Sequence, residues 1–194
     1  MTNNNYPNIL SISGSLRSGS YNSALLRAAQ ELAVGKIKID IYDIAELPFY
    51  NGDVEALGDP NPIVRFKQAI RDADAVIFAT PEYNGSVPGV LKNAIDWASR
   101  DRGEGSLRGK PVAMIGTGGM SGTEGAQRHL TEILARTGAH IMTEPEVKVP
   151  MAWHHFDADG QPDSAVVEAL DAHLNAFVKW TTAIMTPNGE PVAA

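Results

Sequence analysis

The chain has 194 residues, no cysteine, and 16 Lys and Arg against 23 Asp and Glu, giving a formal net charge of −7. A negative total repels phosphate backbones, and no apolar run approaches the roughly 18 residues of a membrane span, so nucleic-acid and membrane partners are excluded as first readings. Without thiols there is no disulfide, thiolate metal site or cysteine nucleophile, and any redox chemistry must reside in a bound cofactor. With 43% hydrophobic and 20% charged residues, the expectation is one globular domain over 1–186, a flexible tail over 187–194, and a cytoplasmic location, since Met1 to Asn8 lacks the regions of a signal peptide.

Apolar runs alternate with helical periods along the chain, the pattern of parallel strands joined by crossover helices. Ile9–Ser13 is the first strand; a helix starts near Asn22, presents Leu25, Leu26, Ala29, Leu32 and Ala33, and ends at Gly35. Ile37–Tyr42 is the second strand, and a polar loop from Pro48 leads to a second helix capped by Asn61, with Pro62 in its first turn and Ile63, Phe66 and Ile70 inward. Ala75–Thr80, almost wholly apolar, is the third strand and the sheet centre. Pro88 opens a third helix reaching Ser99, and Pro111–Gly116 is the fourth strand. Ser121 and Glu124 have capping-box spacing for a fourth helix that stops at Gly138. His140–Thr143 is the fifth strand; after a loop containing Pro145, Pro150, Trp153 and Gly160, Val167, Leu170, Leu174, Phe177 and Val178 recur at helical spacing.

This order gives a doubly wound α/β sheet, which binds ligands beyond the carboxyl ends of its strands. Three unusual loops belong at that edge. Gly14-Ser15-Leu16-Arg17-Ser18-Gly19-Ser20-Tyr21-Asn22 combines hydroxyls, a guanidinium and a helix N-terminus, the components of a phosphate cradle. It has no Gly-Lys-Ser/Thr ending, and Leu16 fills the middle glycine of a G-x-G-x-x-G match, so a single terminal phosphate fits better than a pyrophosphate. A bare helix cap would need only one of these polar residues. Thr80-Pro81-Glu82-Tyr83-Asn84-Gly85-Ser86-Val87-Pro88-Gly89 has a backbone fixed by turn residues and an aromatic ring, which suits a flat heterocycle. Gly116-Thr117-Gly118-Gly119-Met120-Ser121-Gly122 carries little side chain, so its amides can approach a ligand closely.

Gly14-Ser15-Leu16-Arg17 with Ser20 and Asn22, followed by the run from Pro81 to Trp97, PEYNGSVPGVLKNAIDW, resembles the NADPH-dependent FMN reductases, a family that includes bacterial chromate and quinone reductases. The resemblance spans roughly Ile9 to His140 and implies a flavodoxin-like three-layer sandwich with a five-stranded parallel sheet in the order 2-1-3-4-5. It implies an FMN phosphate held by Ser15, Arg17, Ser20 and Asn22, with Tyr21 beside them. It places the isoalloxazine ring against Pro81, Glu82, Tyr83, Asn84 and Gly85, its other edge near Gly118 and Gly119, whose amides would face the N1–C2 carbonyl edge, and Thr117 is assigned to the cofactor site with them. It further implies that hydride from NADPH or NADH passes through FMN N5 to a quinone, azo compound, metal oxyanion or free flavin, with no catalytic side chain required. Many members carry an arginine before the Ala-Gln of the fourth helix, where this chain has Gly125. That arginine resembles an inter-subunit contact of tetramers, so a homodimer is the firmer expectation and a tetramer a further one.

The third helix, 88–99, carries Val90, Leu91, Ala94, Ile95, Trp97 and Ala98, more apolar surface than one stripe requires; part of it is assigned to a partner subunit, with completion of the chain's own core by Trp97 as the competing reading. His154-His155 with Asp157 and Asp159 reads as a turn, not a metal site, and the stretch of Arg100, Arg102, Arg108 and Lys110 reads as a solvated loop before a site for the NADPH 2′-phosphate. Tyr50 and Asn51 are placed at the substrate mouth by topology alone. Two alternatives stay open. A Rossmann-type NAD(P)-binding dehydrogenase would use Asp40 on a ribose hydroxyl, and a flavin carrier or sensor would bind without turnover.

Overall fold

In a computed structural model the chain is described over residues 7–100 and 105–185, so Arg102 and the expected tail lie outside the described residues. The elements are β1 (Asn8–Ser13), α1 (Tyr21–Leu32), β2 (Lys38–Tyr42), α2 (Gly52–Ala56), α3 (Asn61–Asp72), β3 (Ala75–Ala79), α4 (Gly89–Ala98), β4 (Pro111–Thr117), α5 (Glu124–Thr137), β5 (His140–Val149) and α6 (Ser164–Met185), with a single 3₁₀ turn at Ala152–His154. The five strands are all parallel and ordered β2-β1-β3-β4-β5.

That order is the flavodoxin type, with its switch point between β1 and β3, not the 3-2-1-4-5-6 order of a Rossmann dehydrogenase. Crossover helices cover both faces, so central strands have no wet side and every residue of β3 and β4 is buried. Alternate side chains feed two cores. Ile9, Ile77 and Ile115 pack with Leu25 and Leu26 of α1 and Leu170 and Phe177 of α6. Ile12, Phe78 and Val112 pack with Phe66 of α3, Leu91 and Ile95 of α4 and Leu130 of α5.

Several expected boundaries move for local reasons. The segment after Pro48 is not irregular throughout: Asn51 accepts the Asp53 N–H at 2.9 Å and starts α2. Pro60, not Asn61, is the cap residue of α3. β5 continues six residues beyond Thr143. It does so because Ala113 pairs with Met142 while Ile115 pairs with Val147, a bulge that sets 143–146 opposite Met114 alone and gives Pro145 a place where no ladder N–H is required. The apolar surplus of α4 is consumed within the chain: Leu91, Ala94, Ile95, Trp97 and Ala98 are all buried, and Trp97 Nε1 donates to the Pro48 carbonyl at 2.8 Å. Of the apolar residues singled out in helix 88–99 only Val90 is partly exposed, and Trp97 completes the chain's own core.

The bulge also creates a pH-sensitive contact. His173 of α6 is buried and bonded through Nδ1 to the Pro145 carbonyl at 2.6 Å, while its Nε2 is buried without a partner. Burial lowers its pKa below the ordinary value of 6.5, against the opposing effect of the Pro145 carbonyl. The unfolded chain therefore takes a proton here that the folded chain refuses. Between that ordinary value and the lower folded one, stability falls as pH falls. Melting curves from pH 7.5 to 5 should show this loss, and His173→Gln, which keeps a donor for Pro145, should flatten it; an unchanged slope would remove His173 from the account.

Candidate active site

The carboxyl ends of β1, β3 and β4 deliver three loops to an open cleft of about 210 Å³. Ser15, Arg17, Ser20, Tyr21, Asn22, Pro81, Glu82, Tyr83, Thr117, Gly118 and Gly119 line it, together with Ala152 and Trp153. Thus all the expected site residues converge except Asn84 and Gly85.

The first loop meets α1 at Ser20, whose hydroxyl caps the helix by accepting the Ser23 N–H at 3.3 Å. The preceding helical N–H groups, of Tyr21 and Asn22, have no intrahelical acceptor and give that end a partial positive charge. Arg17, the one cation among the lining residues, donates from Nη2 to the Gly19 carbonyl at 2.8 Å and stays exposed. Asn22 does more than supply a polar atom. Its Nδ2 donates to the Thr117 carbonyl at 2.8 Å and its Oδ1 accepts the Thr117 N–H at 3.1 Å, with the residue 3% exposed. This reciprocal pair pins the start of α1 to the end of β4. Thr117 Oγ1 itself is buried without a partner.

In the second loop, Tyr83 and Ser86 exchange N–H···O bonds of 3.1 Å across Asn84-Gly85, both at positive φ (54° and 72°). This is the tight turn that an Asn-Gly pair favours. It points those two residues away from the cleft and toward α5, where a Cβ on Gly125 would lie 2.7 Å from the Gly85 carbonyl. The missing side chain at Gly125 is therefore what lets this turn dock on the helix. Glu82, the lining carboxylate, completes the joint by accepting the Ala126 N–H at 2.9 Å through Oε2 and the Ser121 hydroxyl at 3.4 Å through Oε1. The expected Ser121–Glu124 capping box does not form: the cap residue is Thr123, whose side chain accepts no backbone N–H of the helix start, and Glu124 pairs with Lys148 Nζ at 2.8 Å. A carboxylate from another loop satisfies the helix start instead.

The third loop is tight because Gly118 is: a Cβ there would meet the Gly122 carbonyl at 2.5 Å. Its backbone is largely committed. Gly118 N–H donates to Val149 O at 3.1 Å, and the carbonyls of Gly118 and Gly119 accept the N–H groups of Ala152 and Met151 at 3.0 and 2.8 Å. Gly118 N–H is thus unavailable to a ligand's carbonyl edge, contrary to expectation. Tyr50 and Asn51 are not lining residues either. Tyr50 N–H donates to Asn93 Oδ1 at 2.7 Å, its hydroxyl to Glu55 at 2.7 Å, and its ring packs edge-on to Trp97. Arg100 lies 5.0 Å from that ring and Lys110 donates to the Ala73 carbonyl, and neither lines the cleft. Among the described residues, no group of His, Asp and Glu could hold a metal and no helix is long and apolar enough to cross a membrane.

A family model described as NADPH-dependent FMN reductase matches residues 7–154. The chain belongs to the NADPH-dependent FMN reductase family. An NAD(P)H-dependent FMN reductase of Pseudomonas aeruginosa is 48% identical over 174 residues, 89% of this chain and 94% of that protein. A 2-hydroxy-1,4-benzoquinone reductase of a Burkholderia species is 43% identical over 166 residues, 85% and 88% of the two chains. Among solved structures, a flavoenzyme NAD(P)H:(acceptor) oxidoreductase of Paracoccus denitrificans superposes with a TM-score of 0.83 at 39% identity, covering 91% of this chain and 97% of that one. This member of the FMN reductase family is accordingly an oxidoreductase that uses FMN and NAD(P)H.

Proposed function

We propose that the cleft holds FMN with its phosphate at the N-terminus of α1 and its ring between Pro81–Tyr83 and Thr117–Gly119, and that a quinone takes the electrons. The observation that carries this reading is the division of the cleft into two ends. One end offers the Ser15 and Ser20 hydroxyls, the free N–H groups of α1 and the sole lining cation; the other offers Pro81, Tyr83, small backbone and the unpartnered Thr117 hydroxyl. A phosphate carrying nearly two negative charges matches the first, and a planar heterocycle with polar edges matches the second. FMN supplies, when bound, the acceptance of a hydride from NAD(P)H and its release to an acceptor.

The residues serve orientation. Asn22 fixes the phosphate end relative to the Thr117 wall, Glu82 fixes the Pro81–Tyr83 wall relative to α5, and the half-exposed Tyr83 bounds the ring. The net reaction, NAD(P)H plus a proton plus quinone giving NAD(P)⁺ plus hydroquinone, takes its proton from water through the open side of the cleft. A cavity of 210 Å³ is below the roughly 300–1,000 Å³ that encloses a drug-sized ligand, which leaves one face of the ring accessible to donor and acceptor in turn. The relative that reduces a benzoquinone supports the acceptor class.

Titration of flavin-stripped protein, followed through the visible flavin band, should saturate at one FMN per chain, and NADPH should bleach the complex anaerobically. Arg17→Ala should weaken FMN roughly 10- to 150-fold, the worth of a charge-assisted hydrogen bond of about 1.5–3 kcal/mol. A flavin spectrum that never shifts at high protein concentration removes this reading of the cleft.

A further inference from the structure

The phosphate and ring account for every lining residue of the cleft except Ala152 and Trp153. Trp153 stands on the 3₁₀ turn that follows β5, and that turn is fastened to the glycine loop: Ala152 N–H donates to Gly118 O at 3.0 Å and Met151 N–H to Gly119 O at 2.8 Å. Met151 holds φ 44° and ψ 54°, a left-handed conformation that a bulky residue adopts at a cost of about 1–3 kcal/mol and keeps only where surrounding bonds fix it. The backbone that carries the indole is thus fixed to the wall of the cleft. Nevertheless Trp153 is 52% exposed, and Tyr83, which lines the same cleft, is 49% exposed, so two aromatic side chains from different loops flank one opening.

Their chemistry and the charge around them select a ligand. Aromatic rings favour flat, polarisable partners. Arg17 is the only lining cation and Glu82 the only lining carboxylate; once Arg17 faces a phosphate dianion, no positive charge remains on this wall for an anionic acceptor. We infer that Trp153, with Tyr83, forms the acceptor subsite, and that it favours neutral, planar, bicyclic acceptors such as a naphthoquinone over small or anionic ones such as metal oxyanions. This inference rests on the placement of FMN proposed above. Trp153 is assigned to the acceptor, and not to the cofactor, because the Pro81–Tyr83 and Thr117–Gly119 walls already bound the ring and half of the Trp153 surface is free.

The test uses FMN-loaded enzyme at pH 8 with saturating NADPH, and 1,4-naphthoquinone or ferricyanide as acceptor. Trp153→Ala should raise KM for naphthoquinone about tenfold while leaving kcat and the KM for ferricyanide within twofold, and Trp153→Phe should recover most of the loss. Calorimetric titration of the oxidised holoenzyme with naphthoquinone, without NADPH, should show the same tenfold change in Kd. The FMN affinity of the stripped Trp153→Ala protein should stay within twofold of wild type. Equal changes for both acceptors, or none, would overturn the inference while leaving the FMN site intact. A tenfold loss of FMN affinity with an unchanged acceptor ratio would overturn it too, by making the indole a cofactor contact. Wild-type protein that takes up no FMN would instead sink the reading of the cleft, a failure visible before any acceptor is added.

Discussion

Asn22→Leu should lower the melting temperature of the flavin-free protein by roughly 10 °C and weaken FMN at least as much as Arg17→Ala does. The leucine keeps the branching and the number of side-chain heavy atoms, so what it chiefly removes is the two-way bond to the Thr117 backbone. Both backbone groups are then buried without partners, at about 1–3 kcal/mol each. For a chain of this size each kcal/mol shifts the midpoint by roughly 2–4 °C. The effect on FMN follows because the same two bonds fix the phosphate end of the cleft against its Thr117 wall. Asn22→Asp separates the contributions: it keeps an acceptor for the Thr117 N–H but sets a carboxylate oxygen against the Thr117 carbonyl, so it should melt no higher than the leucine variant. If Asn22 were only a phosphate donor, neither change would move the melting temperature of flavin-free protein, and differential scanning calorimetry would show that at once.

The same residue illustrates what the sequence could and could not reveal. Polar residues crowded at the start of a helix after an apolar strand locate a ligand edge, because strand order alone carries them there. Nothing local says that the Asn22 amide is already spent on a residue 95 positions away. Glu82 is a parallel case: its place beside the cleft is legible from its loop, but its role as cap of α5 depends on Ala126, 44 residues on. Asn84 and Gly85 are legible as a tight turn, yet a tight turn can face either way, and here Gly125 lets it pack outward. Trp153 was hidden by the bulge. With strand five ended at Thr143 by the proline that follows, the indole falls ten residues from the sheet edge; with β5 running to Val149 it falls four residues from it, at the same edge as the other loops. The alternating strand and helix pattern survived these errors because burial on both faces of a parallel sheet writes itself into consecutive apolar residues, as in β3.

Asp59→Ala should cost more stability than Lys67→Met, although the two residues form one ion pair. Lys67 Nζ lies 2.7 Å from Asp59 Oδ2, with the lysine side chain 3% exposed and the aspartate 23%. The ammonium also donates to the Arg100 carbonyl and sits 5.9 Å from the centroid of the buried Trp97 ring. Removing Asp59 leaves an ammonium in a dry pocket with one carbonyl and a ring face, and an uncompensated buried charge costs about 3–5 kcal/mol. Replacing the lysine by methionine withdraws the charge, keeps the chain's volume over the indole, and leaves a carboxylate that can turn toward water; its cost should stay below about 2 kcal/mol. The double variant should therefore be more stable than Asp59→Ala alone and close to Lys67→Met. Consequences reach α4, because the segment that Asp59 closes supplies Pro48, whose carbonyl accepts both Trp97 Nε1 and Asn93 Nδ2. Loosened, it should admit water to Trp97 and shift its emission to the red in Asp59→Ala but not in Lys67→Met. Urea unfolding of the three variants decides the matter: Lys67→Met proving the costlier single change would mean that the attraction of the pair, and not the isolation of its buried cation, governs this joint.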